Sequence, residues 1–360
     1  MNLPPRNANL ENFSCPLPLN HKGQIVLGHG SGGIMTKNLI ETIFYRYFDN
    51  EYLRKGNDFA DISTEISNSE DKWIVSTDGH IVKPIFFPGG DIGRLAISGT
   101  VNDICMSGGI PKFITASFIL EEGLEISDLE KIAISMSVTA KEADVEIIAG
   151  DTKVAEKGSA DKVFITTTGL GILRKGNLIS GDKAKPGDSV IISGTIGDHG
   201  IAVLAARNEL GFRTTIQSDV APLNKMIQTL IAEEIEIHAM RDPTRGGLAT
   251  TLNEIALQSK VAITLEETTI PIKKEVRSAS DLLGFDPLYI ANEGKVIIIA
   301  PSKNSARIID ILRKHPYGSN AAVIGEVTSK ESKPRVVLNT EIGGTRIVDM
   351  LSGEMLPRIC

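Results

Sequence analysis

Acidic side chains recur in this sequence where the chain must turn. Asp78 follows the apolar run Lys72–Thr77 and precedes Gly79, and Asp151 follows Val145–Ala149 and Gly150. Asp242 lies in Arg241-Asp242-Pro243-Thr244-Arg245-Gly246-Gly247, and Asp103 sits beside Asn102 in the small-residue stretch Gly93–Gly108. Carboxylates at strand ends are where α/β proteins place site groups. Lys153 and Arg245 add positive charge close to Asp151 and Asp242, and glycine-rich turns at Gly28–Gly33, Gly194–Gly200 and Gly246–Gly247 offer backbone N–H groups. That set of residue types suits magnesium and a triphosphate. Magnesium takes oxygen ligands and keeps waters, so a few carboxylates plus phosphates suffice. Lysine and N–H groups then offset charge on a transferred phosphoryl group. The same acids could instead cap helices and solvate loops.

Three further features could carry chemistry. Gly30, Ser31, Gly32 and Gly33 precede a helical pattern from Ile34 to Phe48, with Leu39, Ile40, Ile43 and Phe44 on one side. Glycine-rich backbone ahead of a helix can present N–H groups to phosphate oxygens, although no Gly-Lys-Ser/Thr follows, so this is not a P-loop. The alternative is a flexible turn. His199, in Gly197-Asp198-His199-Gly200, reads either as a catalytic base or as a turn or capping residue. The sequence closes on Pro357-Arg358-Ile359-Cys360. A thiol beside a terminal carboxylate has a raised pKa, so Cys360 suits a carrier better than a self-activated nucleophile. Cys105, among apolar neighbours, reads as a small buried hydrophobe.

Strands are expected at Lys72–Thr77, Phe113–Leu120, Val145–Ala149, Ser189–Ser193, Lys295–Ala300 and Ala322–Val327. Helices are expected at Gly93–Gly108, after a Ser127-x-x-Glu130 capping box, at Ile201–Leu210, Val220–Glu233, Leu248–Gln258 and Ser302–Lys314. Mixed strands and helices give an α/β class with two domains, residues 25–174 and 188–329, joined near Arg174–Asp188. Residues 1–24 are expected to form a loosely ordered extension without a secretory h-region. After Ser329 the hydrophobic periodicity weakens, so residues 330–360 are expected to be a mobile tail that carries Cys360.

With 360 residues the chain has length for two cores. A net charge of −7 with signs interspersed argues against a nucleic-acid groove. No apolar run approaches the roughly 20 residues that span a bilayer. Three cysteines without CxxC spacing fit a reducing cytoplasm and give no zinc site.

Beyond these readings, several motifs carry a resemblance. They are His29–Gly33, Ser76-Thr77-Asp78, Phe86–Gly90, Asn102-Asp103, Phe118–Gly123, Gly150–Val154, Ser193–Gly200, Asp242–Gly247, Ala291–Lys295, Ile324–Val327 and the terminal Pro-Arg-Ile-Cys. The chain resembles the HypE family of hydrogenase maturation factors, in the superfamily of AIR synthetase (PurM-like) proteins. The glycine motifs are shared across that superfamily, and the terminal Pro-Arg-Ile-Cys discriminates within it. The resemblance implies a two-domain PurM-like fold with mixed sheets, a homodimer, and ATP near the dimer interface. It implies a carbamoyl dehydratase. A HypF-type carbamoyltransferase would place a carboxamide on Cys360, ATP would drive its dehydration to a thiocyanate, and a HypC–HypD-type iron complex would receive the cyanide. By resemblance Asp58 (with Asp61 as its alternative), Asp78, Asp103, Asp151 and Asp242 are the candidates for magnesium. Gly30, Ser31, Gly32, Gly33, Asn102, Lys153 and Arg245 join them for the nucleotide. Lys153 and Glu293 are the candidates for phosphoryl and proton handling. A small-molecule kinase of the same superfamily, or a non-catalytic scaffold, would be the rivals.

Overall fold

A computed structural model describes residues 33–44, 53–61, 71–174, 178–207, 214–331, 333–351, 353 and 359–360. Residues 1–24, and the predicted phosphate contacts Gly30, Ser31 and Gly32, lie outside the described residues. The N-terminal unit contains α1 (Ile34–Leu39), β1 (Ala60–Asp61), β2 (Lys72–His80), β3 (Phe86–Phe87), β4 (Gly90–Asp91), α2 (Ile92–Met106), β5 (Ile110–Glu121), α3 (Ile126–Ala143), β6 (Glu146–Ala155) and β7 (Val163–Leu173). Its sheet runs β1-β2-β7-β5-β6, antiparallel except for the parallel β5–β6 pair at one edge.

The helix α2 explains how this unit positions chemistry. Asp91 caps it, accepting from the Gly93 and Arg94 amides at 2.7 and 3.2 Å, which satisfies donors that a helix start leaves unpaired. Leu95, Ala96, Ile97, Val101 and Ile104 are fully buried against the sheet. Gly99 allows the close approach: a Cβ there would meet His80 Cε1 at 3.0 Å and Asp78 Oδ2 at 3.1 Å. One turn later, on the same face, Asp103 therefore reaches Ser76 in the middle of β2. The helix α3 begins without the expected capping box. Its N-cap is Glu125, which makes no side-chain bond, and Ser127 and Glu130 lie inside the helix.

The C-terminal unit contains β8 (Asp188–Ile192), α4 (Asp198–Ala206), α5 (Asn224–Ala232), β9 (Ala239–Arg241), α6 (Gly247–Ser259), β10 (Val261–Glu266), α7 (Lys274–Leu283), β11 (Ile297–Pro301), α8 (Ser305–Arg313), β12 (Ala322–Lys330), β13 (Arg335–Asn339) and β14 (Thr345–Val348). Its strand order is β14-β13-β10-β12-β8-β11-β9. One apolar cluster runs from α2 through Leu223, Met226, Ile227 and Leu230 of the α5 region to Ile298 and Ala300 of β11, so the two units share a core. No described helix is long and apolar enough to cross a membrane.

The expectation of a mobile tail from residue 330 needs correction. β13 pairs in parallel with β10, and β14 pairs antiparallel with β13 around a turn that Gly343 makes at φ +85°. Val336, Leu338 and Val348 are buried, and Asn253 Nδ2 donates to the Val348 carbonyl at 2.7 Å. The periodicity weakened because β13 is short and finds its partner some seventy positions back along the chain.

Leu338→Ala separates a packed strand from a loose tail. Removing a buried leucine leaves a cavity and costs about 2–5 kcal/mol. Chemical denaturation should show that loss as a lowered midpoint with an unchanged slope, whereas a mobile tail would give no change.

Candidate active site

Strand and helix ends from both units converge on one small cavity of about 290 Å³. Asp78 enters from β2, Asp103 from α2, Asp242 from the end of β9, and Asp58 from the loop before β1. Arg245 lies in the turn before α6, Glu293 in the Ala291–Gly294 loop before β11, and Cys360 at the chain end. Asn57, Asp58 and Thr77 are shared with a larger cavity of about 830 Å³, whose other walls include Lys37, Lys55, Arg241, Glu254 and Gln258.

The acids are fixed by their neighbours. Ser76 Oγ donates to Asp103 Oδ2 at 2.6 Å. Arg241, buried behind the site, clamps Asp58 with Nη2 at 2.7 Å and Nε at 3.0 Å. The same guanidinium donates to Glu254 Oε2 at 2.8 Å and to the Gly56 carbonyl at 3.1 Å. Such a bidentate fork sets orientation as well as charge. Arg245 Nη2 lies 3.7 Å from Asp78 Oδ1.

Burial and crowding of like charge dominate the electrostatics. Burial first, then repulsion from Asp242, Asp78 and Asp58, holds the Asp103 carboxyl well above the usual range, against the Ser76 hydrogen bond. Asp242 is pushed up to about 8 by burial and then by Asp58. Glu293 is raised by burial, then by Asp78 and Asp242, with Arg245 opposing. Its Oε1 is buried and unpartnered. The Cys360 thiol is also raised, by burial first, with Arg245 pulling it down and Glu293 and Asp78 pushing it up. Among the described residues, no three His, Cys, Asp or Glu side chains form a ready metal cage. Crowded carboxylates with spare oxygens do fit magnesium shared with phosphates, because that ion is completed by phosphate and water oxygens.

The comparisons with known proteins agree with this arrangement. The model for the N-terminal domain of AIR synthase related proteins matches residues 56–173, and that for their C-terminal domain matches residues 185–337. The carbamoyl dehydratase HypE of Cupriavidus necator is 48% identical over 344 residues, covering 95% of this chain and 97% of that protein. The chain belongs to the HypE family. A crystal structure of a HypE–HypF complex matches with a TM-score of 0.81 and 49% identity, over 87% of this chain and 99% of that one. A HypE in complex with ATP matches with a TM-score of 0.77 and 46% identity, over 94% of this chain and 100% of that one.

Against the site expected of a HypE, the structure brings together Asp58, Asp78, Asp103, Asp242, Arg245, Glu293 and Cys360. Asp61 instead pairs with Lys72 at 3.2 Å and does not line the cavity. Gly33 packs on the chain after β14, where a Cβ would meet the Leu351 carbonyl oxygen at 2.0 Å. Asn102 is a correction: its amide donates to the Ala221 and Glu293 carbonyls at 3.1 and 3.5 Å and accepts from the Leu223 amide at 2.8 Å. Those bonds engage it as a tie between α2 and the Glu293 loop, with both amide N–H groups used inside the protein, and it does not line the cavity. Asp151 and Lys153 are a second correction within one chain. They pair with each other at 2.6 Å on the exposed edge strand β6, away from the cavity. The expectation rested on strand-end position, but that carboxylate lies mid-strand on the sheet edge. His199 does not act as a base in this geometry. Its Nε2–H donates to the Ile359 carbonyl at 2.6 Å, and its Nδ1 accepts from Ser218 Oγ at 2.7 Å.

Reasoning from sequence missed Arg241, Ser76 and Glu254. Arg241 directly precedes Asp242, and an arginine ending a short apolar run was the available signal.

The raised acids give a signed pH dependence. An acid whose folded pKa lies above its unfolded value stabilises the fold fully below about pH 4, and that contribution is lost as pH rises toward 8. Ligand-free protein should therefore lose up to about 1.4 kcal/mol per pH unit per such group over this range. In thermal melts at pH 6 and 8.5, Asp242→Asn should show a flatter decline than the parent. Parallel declines would show that Asp242 is not raised.

Proposed function

We propose that this protein removes the elements of water from a carboxamide on the sulfur of its own Cys360, at the expense of ATP. The product S-cyanide then supplies cyanide for the iron of a hydrogenase. One observation carries the reading: the terminal thiol stands in the same 290 Å³ cavity as the acids, Arg245 and Glu293. The family supplies the class of reaction, an ATP-dependent carbamoyl dehydratase of hydrogenase maturation.

The residues account for the steps. The carboxamide oxygen is a poor leaving group, so it takes the γ-phosphoryl group of ATP. The O–P bond forms, the bond to ADP breaks, and one N–H proton leaves. The C–O bond then breaks, phosphate departs, and loss of the second N–H proton leaves Cys360 S–C≡N. Glu293 is the acceptor for these protons, since a carboxylate with a raised pKa is a stronger base than an ordinary glutamate. Arg245 faces the developing phosphate charge. The nucleoside fits the 830 Å³ cavity, with its triphosphate toward Asp58 and Thr77, where the two cavities meet. Asp58, Asp78, Asp103 and Asp242 would hold magnesium, which would supply charge neutralisation on the phosphates. Tethering the carboxamide beside the γ-phosphate makes the transfer effectively unimolecular.

The charging partner is a HypF-type carbamoyltransferase, in keeping with the HypE–HypF complex of a relative. A HypC–HypD-type complex would accept the cyanide, in the reducing cytoplasm that a carrier thiol needs. A second copy covers β6. That edge strand exposes Ile147, Ile148 and Val154 beside Ile119 of β5, a surface that sheet proteins do not leave open. Asp151 and Lys153 then serve the site of the other copy.

Glu293→Gln should bind ATP and accept the carboxamide, yet dehydrate it about 10²–10⁴-fold more slowly. Full dehydration by that variant would remove Glu293 from the chemistry. Cys360→Ala should bind ATP but hold no carboxamide. The crossed arrangement is tested by mixing Lys153→Ala with Glu293→Gln, each inactive alone. Exchange into mixed dimers should restore up to about a quarter of the parent activity if Lys153 acts across the interface. No recovery would place Lys153 in its own chain's site.

A further inference from the structure

The last two residues occupy a groove between the two units. Ile359 forms an antiparallel bridge with Val82, just past the end of β2. The Ile81 amide donates to the Cys360 backbone oxygen at 3.0 Å. The Ile359 side chain is only 5% exposed and belongs to the shared apolar core. From the other unit, His199 at the start of α4 donates Nε2–H to the Ile359 carbonyl at 2.6 Å. These contacts combine main-chain hydrogen bonds with one buried apolar side chain, the two elements by which extended peptides are recognised.

His199 itself is held on two sides. Ser218 Oγ donates to Nδ1 at 2.7 Å and accepts from the Val220 amide at 3.1 Å. Because the Ile359 carbonyl can only accept, the Nε2–H tautomer is set, and the Ser218 hydroxyl complements it. Phe87 meets the ring edge-to-face, with centroids 5.4 Å apart. The imidazole is fully buried and touches neither the acids nor Arg245 through any bond described. Its one described hydrogen bond toward the chemistry is to the peptide carbonyl next to Cys360, while the buried Asp219, whose Oδ1 accepts from the Glu293 amide at 3.1 Å, faces it electrostatically.

We propose that His199 is a positioning residue, the latch that holds the C-terminal Ile-Cys dipeptide in this groove and so sets Cys360 in the catalytic cavity. The proposal deepens the dehydratase reading and rests on it for the purpose of the latch, though not for its existence. The groove recognises these two residues by their backbone and by the aliphatic side chain at position 359. Its contacts are few, so the tail can leave to meet a charging enzyme and return. His199, Ser218 and Phe87 stay in place as the receiving surface.

The test uses the full chain and needs neither ATP nor the carboxamide for its first readout. Iodoacetamide labelling of Cys360 is followed by the mass of the C-terminal peptide, in the parent, His199→Phe and His199→Gln. Phenylalanine keeps the ring against Phe87 but loses the donor, whereas glutamine can restore it. His199→Phe should label about tenfold faster, the effect of losing one buried hydrogen bond, and His199→Gln should stay within about threefold of the parent. With carbamoylated protein, His199→Phe should lower kcat by a similar factor and leave the KM for ATP unchanged. Parental labelling and turnover in His199→Phe would overturn the latch. So would a loss of ATP affinity and melting temperature shared by both variants, which would make His199 a purely structural residue. If labelling responds as expected while even the parent fails to dehydrate its carboxamide, the latch stands and the dehydratase reading falls.

Discussion

Like charge confined in a small space is the constraint on which this structure turns. Asp58, Asp78, Asp103, Asp242 and Glu293 face one cavity of about 290 Å³, and burial makes the ionised forms of Asp103, Asp242 and Glu293 costly. The fold tolerates this by raising Asp103 and Asp242 so that they favour the protonated form, and by setting Arg241 and Arg245 against Asp58 and Asp78. The arrangement is strained for a ligand-free protein and suited to one that receives a cation and a polyphosphate. The same crowding raises the basicity of Glu293 at the place where protons must leave a carboxamide.

The thiol belongs to this balance without being activated by it. Burial beside Glu293 and Asp78 raises Cys360, so the sulfur rests as a neutral thiol. In the proposed role such a thiol would be charged elsewhere and return to a defined place without reacting with ATP itself. The sheet strands β13 and β14 bring the chain to the rim of the site, and the last residues are held by backbone pairing and His199. Much of the region after residue 330 is therefore sheet rather than tail.

Much of the site was legible in sequence because its acids stand out locally, Asp78 beside a glycine at the end of an apolar run, Asp103 in a small-residue helix, and Asp242 ahead of a glycine turn. Asp78, Asp103 and Asp242 were read that way. Asp58, Glu293 and the fate of Cys360 needed the family resemblance, since a lone acid in a loop and a terminal cysteine carry little signal. Other features depend on distant pairing. Asn102 looked like a ligand beside Asp103, yet a helix turns adjacent residues some 100° apart, and only Asp103 faces the cavity. Arg241 looked like an ordinary charge, and its clamp on Asp58 spans 183 positions. Asp151 and Lys153 were read from their motif, while sheet order places them on an edge that a single chain does not complete.

The central claim is that the cavity does its chemistry on the tail it encloses. The direct measurement is a single turnover of full-length protein carrying a carboxamide on Cys360, mixed with magnesium and ATP, with the mass of the C-terminal peptide read over time. The account predicts loss of one water from the Cys360 adduct, in step with formation of ADP and phosphate. ATP consumed while the carboxamide stays intact would contradict it.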